Sequence, residues 1–238
     1  SCSLVGSEMC IRDSYDKRLL NCRSPYQGLY TILQTTDNAG ISLRWFRDVF
    51  GDAVQQKAEA AGLSVYDYMN TLAEKVPAGC NGLVYLPYLA GEKSPIWDSD
   101  ARGVFFGMSL STDYAFVRAI MEGVALSMRD CMEIMPAAKK SISPIPLGGG
   151  AANSRVWCQI FADVLNRPIV RLKSGETETL GDFIIAAESV GLTDVTRDFG
   201  KKLAAESEVL YPDSAAASVY DKAYQKYKAV YQNTKTLF

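Results

Sequence analysis

Residues 147–161 read LGGGAANSRVWCQIF, and three consecutive glycines, Gly148, Gly149 and Gly150, separate a short apolar run from an amphipathic helical pattern. Glycines at a strand-to-helix junction let the main chain approach a ligand closely, because no Cβ stands in the way. The amides at the start of the following helix suit a phosphate or another anion. The stretch therefore predicts a nucleotide site, with a plain tight turn as the alternative, since an isolated glycine motif is a weak signal.

The segments on either side of this loop predict an α/β arrangement. Residues 142–147 form the apolar run before it, and helical spacing after it is carried by Val156, Trp157, Ile160, Phe161, Val164 and Leu165. A strand is predicted at 169–172 and a helix at 179–190, which Gly191 ends. This alternation of helices and strands indicates a layered α/β domain.

Upstream of the loop, the pattern predicts regular structure from about residue 39 onwards. Helices are predicted at 42–50, 52–61 and 64–75, with Ser64 as the N-cap of the third. Strands are predicted at 83–86 and 104–106, and the loop between them is dense in turn residues and charges. A long helix at 113–135, capped by Ser111 or Thr112, is apolar on several faces, which predicts burial between layers.

Two features of the predicted helices concern packing. Gly123 stands in the middle of the long helix, where glycine costs about 1 kcal/mol relative to alanine, so we expect a neighbouring backbone to pack closely there. The last predicted helix, at 214–232, carries a stripe of four tyrosines, Tyr220, Tyr224, Tyr227 and Tyr231. A stripe at this spacing favours a docking face over a ligand platform.

Composition excludes several classes of protein. The 238 residues carry a net charge of -2 and 48% apolar residues, so nothing favours binding to nucleic acid or to an anionic membrane surface. No apolar run approaches the roughly 18 residues that a membrane span needs. The six cysteines are scattered without a Cys-x-x-Cys spacing, and we expect free thiols in a reducing, cytoplasmic setting.

The chain contains no histidine. Catalysis by a Ser-His-Asp or Cys-His arrangement and zinc sites ligated by histidine are therefore excluded. Any chemistry must depend on carboxylates, lysine, arginine, main-chain amides or a cation bound through oxygen.

Residues 1–14 show neither helical nor strand periodicity, and they include two of the six cysteines. Their sequence resembles the translation of a sequencing adapter at the broken end of a gene fragment, and we leave them out of the fold prediction. A natural terminus of unusual sequence is the alternative.

Six segments in order resemble the C-terminal half of the FGGY carbohydrate kinases, and within that family the xylulose kinases most closely. They cover about residues 38–191: NAGISLRWFRD (38–48), LPYLAGEKSP (86–95), DARGVFFG (100–107), RAIMEGVA (118–125), the glycine loop with Trp157, Gln159, Ala162 and Asp163, and ETETLG (176–181). The resemblance implies an actin-like ATPase, ribonuclease-H-like fold, with a mixed sheet flanked by helices. It also implies two domains around a cleft, the first for the sugar and the second for most of the nucleotide.

The resemblance assigns roles to the loop residues. Gly148, Gly149, Gly150 and Ala151 would pass the adenosine, with Asn153 or Ser154 near the adenine edge.

Gly181 matches a position where a helix start packs near the nucleotide, with packing alone as the alternative. Glu92, Lys93 and Asp98 match a segment that borders the cleft, with a solvated turn as the alternative.

Residues 15–238 then correspond to the C-terminal, nucleotide-binding domain, shortened at its N-terminal edge. The family's catalytic aspartate, its first phosphate loop and most of its sugar contacts belong to the upstream domain, and we expect no catalytic residue and no metal ligand in this chain. A second phosphate loop would fall before about residue 22. A chain shortened in this way should expose apolar surface that the first domain covers, and we expect self-association, for example as a homodimer.

The function that the resemblance implies is phosphorylation of a pentulose such as D-xylulose, with ATP and Mg²⁺ as cofactors. Another sugar or polyol, such as ribulose, gluconate or glycerol, is an alternative substrate. A nucleotide-binding module of actin-like fold without catalysis is the alternative from a different class.

Overall fold

The structure is a computed structural model that describes residues 18–24, 30–110, 112, 114–135, 144–172 and 177–238. The helices in this part are α1 (Ala39–Phe50), α2 (Asp52–Ala60), α3 (Val65–Glu74), α4 (Ala115–Glu133), α5 (Arg155–Leu165), α6 (Thr177–Ser189), α7 (Thr193–Glu206) and α8 (Ser214–Thr234). The strands are β1 (Leu20–Arg23), β2 (Tyr30–Leu33), β3 (Val84–Leu86), β4 (Val104–Phe106), β5 (Ile145–Leu147), β6 (Ile169–Arg171) and β7 (Glu208–Leu210). Short 3-10 turns cover Cys80–Gly82, Gly150–Asn153 and Lys235–Leu237.

The strands of the described residues form three small sheets. β1 and β2 form an antiparallel hairpin, and β3 pairs antiparallel with β4. β5, β6 and β7 form a mixed sheet in which β5 and β6 are parallel and β6 and β7 antiparallel. Helices cover this sheet, so the predicted α/β class with a mixed sheet flanked by helices is confirmed.

Helix α4 lies at the centre of the core. Its residues are buried on several faces, as the apolar pattern predicts, and it packs against α5, β3, α3 and α1. The Trp157 Nε1–H of α5 donates to the Met121 carbonyl at 3.0 Å. A Cβ added to Gly123 would lie 2.4 Å from the Tyr85 carbonyl oxygen of β3, which confirms the close backbone packing expected there.

The helix ends agree with the sequence in part. The Ser64 hydroxyl accepts a hydrogen bond from the Asp67 N–H at 3.1 Å and caps α3 as predicted. α4 has Tyr114 at its N-cap and no side-chain cap, because the Thr112 hydroxyl accepts from the Ser109 N–H instead. Ser111, the other predicted cap, lies outside the described residues, as do residues 1–14.

The tyrosine stripe of α8 is buried, which confirms the predicted docking face. Tyr220, Tyr224, Tyr227 and Tyr231 are each at most 8% exposed. Their hydroxyls bond to buried or half-buried groups on α4, on the turn after β3 and on the loop before β4. The stripe thus binds α8 to the core both by apolar contact and by hydrogen bonds.

The prediction that regular structure begins near residue 39 is wrong. The β1–β2 hairpin precedes that point, and its Ile32 is buried and packs with Leu19 and Met135. Met135 lies just after α4 and far from the hairpin along the chain, so the local pattern carries no signal for this contact. Within the described part, no helix is long and apolar enough to cross a membrane.

Candidate functional site

The glycine loop connects a strand to a helix, as predicted. β5 ends at Leu147 and α5 begins at Arg155, with the 3-10 turn Gly150–Asn153 between them. Gly149 has φ +70° and ψ −161°. Only glycine adopts this backbone conformation without strain, because a Cβ would clash with its own main chain.

The three glycines differ in their surroundings. A Cβ on Gly148 would lie 2.6 Å from Thr177 Cγ2, so this glycine permits close packing against the first residue of α6. Apart from its chain neighbours, no heavy atom of the described residues lies within 4 Å of a Cβ placed on Gly149 or on Gly150. The described part of the chain therefore leaves open space beside these two residues, which is the geometry that close approach of a ligand to the backbone requires.

Ser154 has a capping role at the start of α5. Its hydroxyl accepts from the Trp157 N–H at 3.1 Å and donates to Asn70 Oδ1 of α3 at 2.7 Å. The residue is 7% exposed. The amide of Trp157 is thus already satisfied, and the exposed side chain of Asn153 is the better placed of the two to reach a ligand.

Ala151 and Ala152 form the inner side of the turn, half-buried and buried respectively. The Arg171 guanidinium of β6 donates to the carbonyls of Ala152 and Asn153. The sequence analysis missed Arg171, because one arginine at the end of a predicted strand carries no local signal of such a contact.

Gly181 lies inside α6 and not at its start, because the helix begins two residues earlier than predicted. It follows Thr177 by four residues, so both lie on the same helix face. A Cβ on Gly148 would lie against Thr177, whereas outside the backbone of α6 itself no heavy atom of the described residues lies within 4 Å of a Cβ placed on Gly181. One helical turn beyond Thr177, at Gly181, the same face of α6 therefore has no close neighbour among the described residues.

Glu92 is buried, with 4% of its surface exposed. Its carboxylate accepts from the Thr36 hydroxyl at 2.6 Å, from the Lys93 N–H at 2.8 Å and from the Asp37 N–H at 3.3 Å. Burial raises the pKa of this carboxyl to about 7, and these hydrogen bonds act against the rise. The side chain binds the segment before α1 to its own loop and is not on a free surface.

Lys93 and Asp98 complete this loop. Lys93 Nζ lies 3.1 Å from Asp37 Oδ1, and both side chains are exposed. Asp98 Oδ2 accepts from the Tyr231 hydroxyl of α8 at 2.7 Å, and this bond is the main cause of the lowered pKa of Asp98. The backbones of Glu92 and Asp98 pair across the loop at 2.8 and 2.9 Å.

The two predicted groups of site residues have separate partners. The glycine loop contacts Asn70, Thr177 and Arg171. The loop of Glu92, Lys93 and Asp98 contacts residues 36–38 and α8. No hydrogen bond or ion pair joins the two groups among the described residues.

Comparison with solved structures defines the class of the domain. The fold matches the xylulose kinase from Rhodospirillum rubrum with a TM-score of 0.74 and 32% sequence identity, over 93% of this chain and 43% of that chain. The class is the actin-like ATPase, ribonuclease-H-like domain of carbohydrate kinases.

Residues 16–190 match the family model described as the FGGY family of carbohydrate kinases, C-terminal domain. The chain belongs to this family. The family resemblance of the six segments and the predicted fold are thus confirmed.

The curated relatives include both xylulose kinases and gluconokinases. A xylulose kinase of Staphylococcus epidermidis is 33% identical over 94% of this chain and 43% of its own length. A gluconokinase of Bacillus subtilis is 35% identical over 80% of this chain and 39% of its own length. The chain thus spans less than half the length of these relatives.

Proposed function

We propose that this chain is the nucleotide-binding half of an ATP-dependent sugar kinase whose substrate is a pentulose such as D-xylulose. The observation that carries the proposal is the open space beside Gly149 and Gly150 in a strand–loop–helix junction. The similarity to proteins named xylulose kinase supports the choice of sugar.

Different residues of the loop would contact different parts of the nucleotide. Gly149 and Gly150 let the backbone approach the adenosine, and the exposed Asn153 side chain offers a donor and an acceptor to the edge of the base. Ser154 holds the start of α5 and thereby the end of the loop. Bound ATP would supply the phosphoryl group, and the family's carboxylate base belongs, in this proposal, to the part of the relatives that the chain does not span.

Mg²⁺ is proposed as the second cofactor. Among the residues that the structure describes, no group of three or more acidic or cysteine side chains could hold a metal ion. In this proposal the cation is held mainly by phosphate oxygens and by carboxylates in the part of the relatives that this chain does not span.

The nucleotide site is tested by titrating ATP into the full-length protein by calorimetry, since we expect the present chain alone to bind ATP weakly at best. Gly150→Val places a branched side chain in the open space, and apart from the chain neighbours no atom of the described residues lies within 4 Å of the new Cβ. We expect an ATP affinity lower by about tenfold or more and an unchanged melting temperature. Gly200→Ala, at an exposed position on α7, is the control. An unaltered affinity in Gly150→Val would contradict the site.

The substrate is tested with the full-length protein and a panel of D-xylulose, D-ribulose, gluconate and glycerol. We expect the highest kcat/KM for D-xylulose. Gluconate is the second candidate because the Bacillus subtilis gluconokinase is as similar to this chain as the xylulose kinases are. Binding of ATP without phosphorylation of any of the four would favour a module without catalysis, and we expect the present chain alone to be inactive.

A further inference from the structure

One arginine holds the backbone of the glycine loop from the neighbouring strand. Arg171 ends β6, and in the parallel pairing of β5 with β6 it lies opposite Leu147, the residue before the glycines. Its Nε–H donates to the Ala152 carbonyl at 2.6 Å and its Nη2–H to the Asn153 carbonyl at 3.2 Å. The Arg171 side chain is 19% exposed, and the bond to the buried Ala152 is the better shielded from water, since Asn153 is exposed.

A carboxylate on the next strand holds the arginine in turn. Glu208 of β7 lies opposite Arg171 in the antiparallel pairing. Its Oε2 accepts from Arg171 Nη1 at 3.2 Å, and its Oε1 accepts from Arg155 Nε at 2.9 Å. The Glu208 carboxylate therefore bonds both to Arg171, whose guanidinium donates to the loop carbonyls, and to Arg155, the first residue of α5.

These contacts determine the orientation of the peptide groups in the glycine loop. A peptide unit is planar, so fixing the carbonyls of Ala152 and Asn153 also fixes the direction of the amides that follow them. The second of these carbonyls belongs to Asn153, whose exposed side chain is the proposed contact to the base. Arginine can bond two carbonyls and a carboxylate at once because its donors form a rigid planar fork, and lysine cannot reproduce that fork.

We propose that Arg171 is a positioning residue for the nucleotide loop and that Glu208 orients Arg171 and balances its charge. Among the described residues, the hydrogen bonds of the Arg171 side chain go to the loop backbone and to Glu208, so it acts through Asn153 and the open edge at Gly149 and Gly150. The expected effect of Arg171 on ATP binding rests on the proposed function. The hydrogen bonds from Arg171 to the loop backbone do not depend on it.

The experiment compares Arg171→Ala, Arg171→Lys and Glu208→Gln with the control Arg197→Ala. The control removes an arginine from an exposed ion pair on α7, where Arg197 lies 2.9 Å from Asp194. Each variant is measured for ATP affinity by calorimetry, for amide hydrogen exchange at residues 150–154, and for its melting temperature.

For Arg171→Ala we expect faster exchange at 150–154 and an ATP affinity lower by about tenfold, the equivalent of one lost charge-assisted hydrogen bond. Arg171→Lys keeps the charge and loses the fork, so it should stay close to Arg171→Ala. Glu208→Gln should have the same effects in smaller measure, and Arg197→Ala should have neither. If Arg171→Ala fails to fold, the Lys and Gln variants decide the matter by the same two readouts.

The outcomes separate this inference from the proposed function. Wild-type affinity in Arg171→Ala, together with lost affinity in Gly150→Val, would overturn the positioning role and leave the nucleotide site standing. Wild-type affinity in Arg171→Lys would show that charge alone matters, which also overturns it. If the wild-type full-length protein binds no ATP, the proposed function fails, and exchange at 150–154 still decides whether Arg171 holds the loop.

Discussion

The glycines of this chain serve different purposes, and the space around each one decides which. Gly123 lets the backbone of β3 come within contact of α4, since a Cβ there would lie 2.4 Å from the Tyr85 carbonyl oxygen. In the part of the chain that the structure describes, Gly149 and Gly150 have open space instead. The sequence shows all three as glycines, whereas only the surroundings separate a packing glycine from one that leaves room for a ligand.

Gly123→Ala should destabilise the chain although alanine is the better helix former. The gain in helix propensity is about 1 kcal/mol, and overpacking against a fixed backbone costs about 1–3 kcal/mol or more. We expect a net loss in the free energy of unfolding, measured by urea denaturation. Gly200→Ala is the matched control, because nothing lies within 4 Å of its Cβ and it should stabilise α7. Equal or greater stability of Gly123→Ala would contradict the close contact.

Glu92 should make stability depend on pH. Burial raises the pKa of its carboxyl from 4.5 to about 7, so the folded chain binds more protons than the unfolded chain between these values. The contribution of Glu92 to stability is therefore greatest below pH 4.5 and falls as the pH rises through this window. The free energy of unfolding that is lost across this pH window is at most about 3 kcal/mol.

Glu92→Gln mimics the protonated carboxyl and should remove this part of the pH dependence. We expect the variant to lose less free energy of unfolding than the wild type between about pH 5 and pH 7.5. Thr36→Val removes the hydroxyl that donates to the carboxylate and should steepen the dependence, because that bond favours the charged form. Parallel profiles of the wild type and Glu92→Gln would rule out the raised pKa.

Helix α8 illustrates how a stripe of polar aromatics docks an element. The Tyr88 and Tyr227 hydroxyls lie 2.6 Å apart, and both residues are 1% exposed. Each hydroxyl is the other's hydrogen-bond partner in a region without access to water. The pair therefore contributes mainly by sparing each group the cost of burial alone.

Removing one hydroxyl of this pair should cost more than removing both. Tyr227→Phe leaves the Tyr88 hydroxyl buried without its partner, which costs about 1–3 kcal/mol. The double variant Tyr88→Phe/Tyr227→Phe should recover much of that loss, and Tyr211→Phe, at a residue 69% exposed, should have little effect. Additive losses in a double-mutant cycle by urea denaturation would show that the two hydroxyls do not interact.

A buried ionic cluster joins the layers of the domain. Glu122 of α4 accepts from Arg118 Nε at 2.7 Å, from the Tyr220 hydroxyl of α8 at 2.9 Å and from the Gly79 N–H at 3.1 Å. Arg118 also donates to the Ala73 carbonyl of α3 at 3.2 Å. The cluster thus connects α3, α4, α8 and the turn before β3 through one carboxylate that is 3% exposed.

Arg118→Met should be among the most damaging single changes. It leaves the Glu122 carboxylate buried without its cation, at a cost of about 3–5 kcal/mol, a large share of the stability of an ordinary domain. Arg118→Met/Glu122→Gln should be less damaging, because glutamine removes the charge and still accepts from Gly79 and Tyr220. Urea denaturation of both variants measures the difference. A double variant no more stable than Arg118→Met would contradict a role for the unpaired charge.

Local patterns account for much of this fold. The period of 3.6 residues in α4, α5 and α8 and the glycines before α5 depend on neighbours in sequence, so their positions could be predicted within a few residues. α7 was not predicted, because Gly200 and a mostly polar composition weaken its pattern, and β7 has only one buried residue, Leu210.

The amino-acid sequence alone determined the family, the α/β class and the strand–glycine–helix junction, because each is expressed in residues that are close together along the chain. The tertiary structure decided that Glu92 is buried, that Gly149 and Gly150 have open space and that Arg171 donates hydrogen bonds to the loop carbonyls. These properties depend on which distant residues supply neighbours, desolvation and hydrogen-bond donors. Such neighbours are brought together only when the strands and helices pack.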